Sequence, residues 1–466
     1  MNNLVLSADS YKYSHSAWQY PPGMTSMFSY FESRGGKYSS TIFFGLQYLL
    51  KKYFTKVITG EMVEEAKEFM ALHGLPFDYG GWNYIRAKYG YFPVKIRAIP
   101  EGTLVPNHNV LFTVESEDKT VPWITSFIET MLVQLWYPTT VATRSYNIKK
   151  LIYKYLKETS DEPDKEIDFK LHDFGYRGVS SQESAEIGGA AHLVNFKGSD
   201  TIAGIWAANK YYNEKMSGFS IPAMEHSTVT AWGQENELEA YRNMLNNFAK
   251  PESILACVSD SYDLWNVIDN FWGGELKQQI IDSGATLVVR PDSGNPKEIV
   301  VKTAFKLSNH FGSTVNSKGF IVINNVRIVQ GDGISENSIQ DILLGLEENG
   351  FSATNIAFGM GGGLLQDLNR DTNKFAYKCS SVTVDGEERD VFKEPVTDLG
   401  KISKAGRLDL RKNIQGGFET KKLKPGQERL DDSALVTVYE KGQIVRDYTF
   451  QYVRDQVKKY FISDVE

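Results

Sequence analysis

Cysteine is nearly absent from this chain, with only Cys257 and Cys379 among 466 residues. Two cysteines exclude a disulfide framework, neither has a metal-ligand spacing, and the scarcity suits a reducing compartment. A basic excess is missing too. The formal net charge of -7 argues against a nucleic-acid binder held by counterion release and leaves anionic ligands to local basic pockets. No apolar run approaches the roughly 18–20 residues of a membrane span, and Met1 to Lys12 lacks the basic start and long apolar core of a secretion signal. A cytoplasmic protein without membrane or nucleic-acid partners is therefore expected. The seven histidines form no pairing of the kind that builds a metal cluster. Internal repeats and low-complexity tracts are lacking as well.

What is present is globular material. A chain this long exceeds one simple core and reads as two packed domains. Its 41% hydrophobic and 23% charged residues fit neither a disordered nor a fibrous composition. Residues 1–165 form a mixed α+β region. Met62 to Leu72 and Trp123 to Tyr137 carry apolar residues at helical spacing, while Val94 to Pro100 and Val110 to Val114 read as strands separated by the turn-prone Pro106 to Asn109.

From about Phe169 the rhythm changes. Short apolar runs at 169–175, 200–206, 254–263, 286–294, 326–333 and 355–363 each end in a polar or glycine-containing loop, and each is followed by a helical stretch. Strands alternating with helices imply parallel βαβ units, hence an α/β domain over 166–379, with ligands at the carboxyl ends of the strands. Those ends carry Asp173, Asp200, Asp260, Arg290, Asp292, Asp332 and several glycines. Residues 380–466 loosen into Lys- and Asp-rich hairpin-like segments, most loop-like over Gly416 to Leu430, and are expected to complete the first region.

Several of these ends suit a phosphate ester. Gly359 and Gly361 to Gly363 stand between a strand and the helical LLQDLNR, so backbone amides there can bind phosphate; a tight strand-to-helix turn is the structural alternative. Gln330-Gly331-Asp332-Gly333 is a second such turn, with Asp332 able to accept from sugar hydroxyls. Arg290 and Asp292 are a surface ion pair or, alternatively, a guanidinium for phosphate oxygens beside a carboxylate for a ribose diol or a developing cationic sugar. His226 lies between Glu225 and Ser227, where Asp260 or Glu225 can orient it as a nucleophile or phosphate contact. Phe174 and Arg177 are a core ring and a solvated cation, or a stacking face with an anion holder.

Together these segments resemble the nicotinamide phosphoribosyltransferases over nearly the whole chain. The blocks that carry the resemblance are DSYK at 9–12, YPP at 20–22, YFESR at 30–34, FGLQYLL at 44–50, WYPTTVAT at 136–143, KLHDFGYRGVSSQE at 170–183, AHLVNFKGSDT at 191–201, EHSTVTAWG at 225–233, VSDSYD at 258–263, RPDSGNP at 290–296, QGDG at 330–333 and GGGLLQDLNRD at 361–371. Met360 and Ala256 depart from the pattern, standing where a small polar and a small hydroxyl residue are expected.

The resemblance implies an irregular α/β barrel of parallel strands packed on a mixed α+β domain formed by the N- and C-terminal parts, in a homodimer with its sites at the interface. It implies that Phe174, Tyr11 of a second chain, Asp200 and Arg290 hold nicotinamide. Asp292, Gly331, Asp332, Gly361, Gly362 and Arg370 would hold the ribose and 5'-phosphate. Arg177, His226 and Arg290, with Arg34, Lys378, Lys393 and Lys401 from the partner, would hold pyrophosphate and ATP. His226, Asp292, Arg290 and Asp260 would carry the chemistry, with His226 phosphorylated by ATP and Mg2+ carried on substrate phosphates. Three rivals stand beside this reading: a nicotinate phosphoribosyltransferase, disfavoured by the charge of Asp200; a non-catalytic binding protein, disfavoured by the charged residues retained; and a sugar-phosphate lyase, which wants a strand-end lysine.

Overall fold

Five short strands, three of them rich in Val, Ile and Leu, and one two-residue strand line up as a single parallel sheet. Its order is Gly198–Ser199, Leu171–Asp173, Ile356–Met360, Val326–Gln330, Thr286–Arg290 and Ile254–Val258. Strands covered on both faces read as nearly continuous apolar runs, and Leu255, Cys257, Leu287, Val289, Ile328 and Phe358 are all fully buried. The sheet curls until its two edges meet one segment. Phe219 bridges Gly198 on one edge, and Ala223 bridges Ala256 on the other, so the stretch between them closes an irregular barrel. The computed structural model describes residues 3–397, 401–413 and 416–465.

Helices cover the barrel, and their ends are set by short polar side chains. Asn295 accepts from the Glu298 amide and Pro296 occupies the first turn of Pro296–Phe311, where a missing N–H does no harm. That helix buries Val300, Ala304, Leu307 and Phe311 along one stripe, worth about 1.5–3 kcal/mol for each large side chain. Ser335 and Ser338 form a reciprocal cap on Glu336–Glu348. This unit comprises Arg144–Trp206, Lys215–Asp367 and Phe461–Glu466.

The other unit, Met1–Thr143, Ala207–Glu214 and Leu368–Tyr460, is built on an antiparallel sheet in the order Glu387–Asp390, Phe375–Val384, Met24–Ser33, Val110–Ser116, Val94–Ala98, Val436–Glu440, Gln443–Ile444. C-terminal strands thus pair directly with N-terminal ones. At its centre Phe31 stacks on Phe112 at 4.8 Å and on Phe375 at 5.2 Å, arrangements that add to plain burial.

At four places the chain folds otherwise than its residue pattern suggests. The run at 200–206 is the start of the helix Ile202–Tyr212, and the strand beside it is only Gly198–Ser199. Ser199 Oγ accepts the Thr201 amide at 3.0 Å and turns the chain, while Gly204 lets the helix lie against Gly189, where a Cβ would approach the carbonyl carbon to 2.5 Å. The stretch LLQDLNR is not a helix: the short turn Gly362–Leu365 ends within it, and a 3-10 turn, Arg370–Thr372, opens at its last residue. Trp123 to Tyr137 is broken into Ile124–Phe127 and Glu129–Val133 before the long helix Trp136–Thr159 begins, because Pro138 fits only the first turn of a helix. The tail holds a strand, Phe418–Lys422, inside its most loop-like part, and it ends in a helix, Phe450–Val465.

Candidate active site

A cavity of about 1210 Å³ runs along the barrel, larger than the sites that take single small ligands. At the carboxyl ends of the strands it is lined by Phe174, Asp200, Arg290, Asp292, Asp332 and Gly361; at the amino ends by Phe169, Ile254, Thr286 and Arg327. Arg177, Gly331 and Gly362 also line it, as does Ala256.

The cavity wall around Phe174 and Asp200 is assembled from two strand ends. Phe174 follows Asp173, and its amide donates to the Met360 carbonyl at 3.0 Å. Met360 is itself buried and packs beneath Gly363, so its departure from the expected small polar type leaves the loop's backbone in place. Glycine opens the space around Phe174, since any side chain at Gly359 would overlap its ring. The two loops touch backbone to backbone, with a Cβ on Gly178 falling 3.2 Å from Gly362 Cα. Asp200 follows the short strand, its amide donating to the Asp173 carbonyl at 2.9 Å, and its Oδ1 accepts the Ser220 hydroxyl. His172 lies behind it. Burial pushes that imidazole below its usual value against the opposing pull of Asp200, and its Nε2 donates to the Phe169 carbonyl at 3.1 Å.

A charged cluster forms around Arg290. Its guanidinium meets Asp292 Oδ2 at 3.1 Å. His226 Nε2 stands 3.4 Å from the same oxygen and 3.8 Å from Asp260 Oδ1. Asp260 Oδ2 in turn accepts the Asp292 amide at 2.9 Å and the Ser293 hydroxyl at 2.6 Å. Of the two carboxylates named as orienters of His226, Asp260 faces the ring and Glu225 accepts from Ser227 instead. The other ring nitrogen meets Ser261 Oγ at 3.1 Å. Asp260 Oδ1 is buried without a hydrogen bond, a donor-poor oxygen beside Asp292 that fits a cation shared with phosphate. Among the described residues no group of three His, Cys, Asp or Glu side chains could hold a metal by itself.

Arg144 is a residue that sequence reasoning does not single out. It is 5% exposed, donates to the Gly363 carbonyl and lies 3.7 Å from Glu336, bracing the glycine loop from outside. Ser220 is another; it stands in an irregular segment with no flanking motif to mark it.

Tyr11, Arg34, Arg370, Lys378, Lys393 and Lys401 belong to the other unit. There Tyr11 is 54% exposed, and Arg370, Lys393 and Lys401 are exposed too. Burial pushes the Lys378 ammonium down; Glu129 opposes the shift, while Arg34, Lys393 and Arg370 reinforce it. Arg34 is held by Glu32 at 2.9 Å. Four of the six thus form one basic neighbourhood within that unit.

A barrel with a cation, carboxylates and glycine turns at its strand ends defines an α/β enzyme for a phosphate ester. Residues 169–441 match the nicotinate phosphoribosyltransferase (NAPRTase) family, and residues 3–96 match the nicotinamide phosphoribosyltransferase N-terminal domain. The chain belongs to the NAPRTase family. A protein of Xanthomonas campestris pv. campestris (strain 8004) named nicotinamide phosphoribosyltransferase is 50% identical over 459 residues, covering 97% of this chain and 98% of its own. One of the same name from Acinetobacter baylyi is 31% identical, covering 99% of this chain and 98% of its own. Among solved structures, nicotinate-nucleotide pyrophosphorylase from Pyrococcus furiosus aligns with a TM-score of 0.63 and human nicotinic acid phosphoribosyltransferase with 0.57, both at 16% identity; each covers 98% of this chain, and 95% and 94% of the respective chains. At that identity they bear on fold alone.

Proposed function

We propose that this enzyme transfers the 5-phosphoribosyl group of phosphoribosyl pyrophosphate to nicotinamide, forming nicotinamide mononucleotide and pyrophosphate in NAD salvage. The observation that carries the choice of pyridine is Asp200, a carboxylate on the same cavity wall as Phe174. It accepts a hydrogen bond from a carboxamide NH2 and repels the carboxylate of nicotinate. The names of the full-length bacterial relatives support the same reading.

The pyridine nitrogen already carries a free lone pair, so no general base is required. Phe174 orients the ring, with Tyr11 of a second chain as its opposite face in a homodimer. Arg290 lies between the amide and the phosphates. Asp292, with Asp332 and Gly331, holds the ribose and stabilises positive charge developing at C1, while Gly361, Gly362 and Arg370 take the 5'-phosphate. The departing pyrophosphate is met by Arg177, His226 and Arg290, and by Arg34, Lys378, Lys393 and Lys401 from the partner. Mg2+ supplies charge neutralisation when bound with the substrate phosphates, and Asp260 and Asp292 are the carboxylates suited to share it. ATP is the co-substrate that phosphorylates His226. A cytoplasmic setting follows the low cysteine count and belongs to the same proposal; no helix among the described residues is long and apolar enough to cross a membrane.

The test is incubation with nicotinamide or nicotinate, phosphoribosyl pyrophosphate and Mg2+, with and without ATP, reading out the mononucleotide. Formation from nicotinamide, enhanced by ATP, is expected. Formation from nicotinate alone would overturn the reading.

A further inference from the structure

Asp173 touches both halves of the pyridine site yet faces neither the cavity nor any cation. It is fully buried and ends the strand Leu171–Asp173, directly before Phe174. Its Oδ1 accepts the Gly175 amide at 2.7 Å, fixing the turn that carries the Phe174 ring. Its backbone carbonyl accepts the Asp200 amide. Its Oδ2 and the Thr201 hydroxyl are both buried and have no well-formed hydrogen-bond partner elsewhere, and the hydroxyl acts on the carboxyl as a side-chain hydrogen-bond donor that holds its pKa down. One residue therefore meets the loop of the stacking ring on one side and the Asp200-Thr201 step on the other.

The chemistry of that position favours a neutral acid. A buried carboxylate with one amide donor and a like charge nearby has little to stabilise its ionised form. Burial accordingly pushes the Asp173 carboxyl up to about 7; the Gly175 amide and Thr201 restrain the rise, and Asp200 adds to it. The Thr201 hydroxyl can donate to the ionised group or accept from the neutral acid, so a proton on Oδ2 keeps this contact by reversing its direction, while Oδ1 keeps the Gly175 amide. A single carboxylic acid then satisfies all three groups.

We infer that Asp173 is a positioning residue that sets the distance between Phe174 and Asp200, and so the affinity of the site for the pyridine substrate. The inference rests on the nicotinamide reading given above. Asparagine reproduces the neutral acid, accepting from Gly175 through its oxygen and donating to Thr201 through its amide.

The experiment is steady-state kinetics of the full chain and its Asp173→Asn, Asp173→Ala and Thr201→Val variants, varying nicotinamide and phosphoribosyl pyrophosphate in turn. Asp173→Asn is expected within about threefold of the unmodified enzyme for both KM values, whereas Asp173→Ala raises the KM for nicotinamide on the order of tenfold or more and moves that for phosphoribosyl pyrophosphate by less than about threefold. Thr201→Val, which keeps volume and removes the hydroxyl, raises the KM for nicotinamide in the same direction. Equal movement of both KM values in Asp173→Ala overturns the inference, as does an Asp173→Asn enzyme no better than Asp173→Ala. Should Asp173→Ala fail to fold, an unmoved KM for nicotinamide in Thr201→Val overturns it. Turnover of nicotinamide by the unmodified enzyme is measured first: its absence removes the proposed function itself, while normal turnover with these variant outcomes removes the positioning role alone.

Discussion

The Phe174 ring fills the space a side chain at Gly359 would take: a Cβ built on Gly359 would lie 1.9 Å from Cε2 of the ring and 2.2 Å from Cδ2. The glycine belongs to the strand Ile356–Met360, so its role is to leave room for the ring. Gly361 and Gly362 alone of that cluster line the cavity.

Gly359→Ala should therefore displace the ring while leaving the strand's hydrogen bonds intact. The expected outcome is a KM for nicotinamide raised on the order of 10- to 100-fold, with a smaller change for phosphoribosyl pyrophosphate. Substrate-resolved kinetics would check it; a parallel loss for both substrates would mean that the barrel, not the ring, had moved.

Asp200→Asn keeps the side-chain volume and removes the charge. Preference between nicotinamide and nicotinate should shift toward nicotinate by roughly tenfold or more, the scale of one charge-assisted contact of about 1.5–3 kcal/mol. Competition between the two pyridines in one reaction measures the ratio directly. An unchanged ratio would remove Asp200 from the selectivity argument.

His226 stands between Ser261 on one ring nitrogen and the Asp292 and Asp260 carboxylates on the other. Incubation with γ-labelled ATP should leave an acid-labile label on the unmodified protein and none on His226→Ala, which should also lose ATPase activity. Label retained by His226→Ala would assign the phosphoryl group elsewhere.

Asp173 gives a pH prediction with a definite sign. An acid whose folded-state pKa, here about 7, lies above its unfolded value near 3.9 holds its proton more tightly when folded. Its stabilisation is complete below the unfolded value and is lost as pH rises through the folded one. The unmodified protein should thus lose stability relative to Asp173→Asn between about pH 4 and about pH 7, by on the order of 4 kcal/mol. Paired melting curves across that range check it; a pH-independent difference would mean that Asp173 does not titrate there.

Much of the barrel is legible in the chain because a parallel strand buried on both faces must be apolar along its length. Ile254–Val258, Thr286–Arg290, Val326–Gln330 and Ile356–Met360 announce themselves in that way. The run at 200–206 is ambiguous for the same reason: Ile202, Ala203, Ile205 and Trp206 suit a buried strand or an Ala-rich helix, and a two-residue strand just before them is too short to register. The terminal helix does show a period, with Phe450, Val453, Val457 and Phe461 buried, but the Lys and Asp between them dilute it. Charged residues at strand ends point toward a site, since strand ends are where such folds place ligands. Its internal contacts do not, because Ser220 meets Asp200 only where the segment from Phe219 to Ala223 closes the sheet, and Asp260 meets Asp292 only because the strands before them pair side by side.

That closure is uneven. Five of the barrel's joints are ladders between regular strands, while the last is a pair of isolated bridges at Phe219 and Ala223. The wall is a clasp, not a hoop. Ser220 and Ile221, both lining the cavity, sit on the fastening, so widening the bore would first draw the hydroxyl of Ser220 from Asp200. Bore width and the orientation of that carboxylate are then one mechanical variable, and amide exchange should run fastest along that seam.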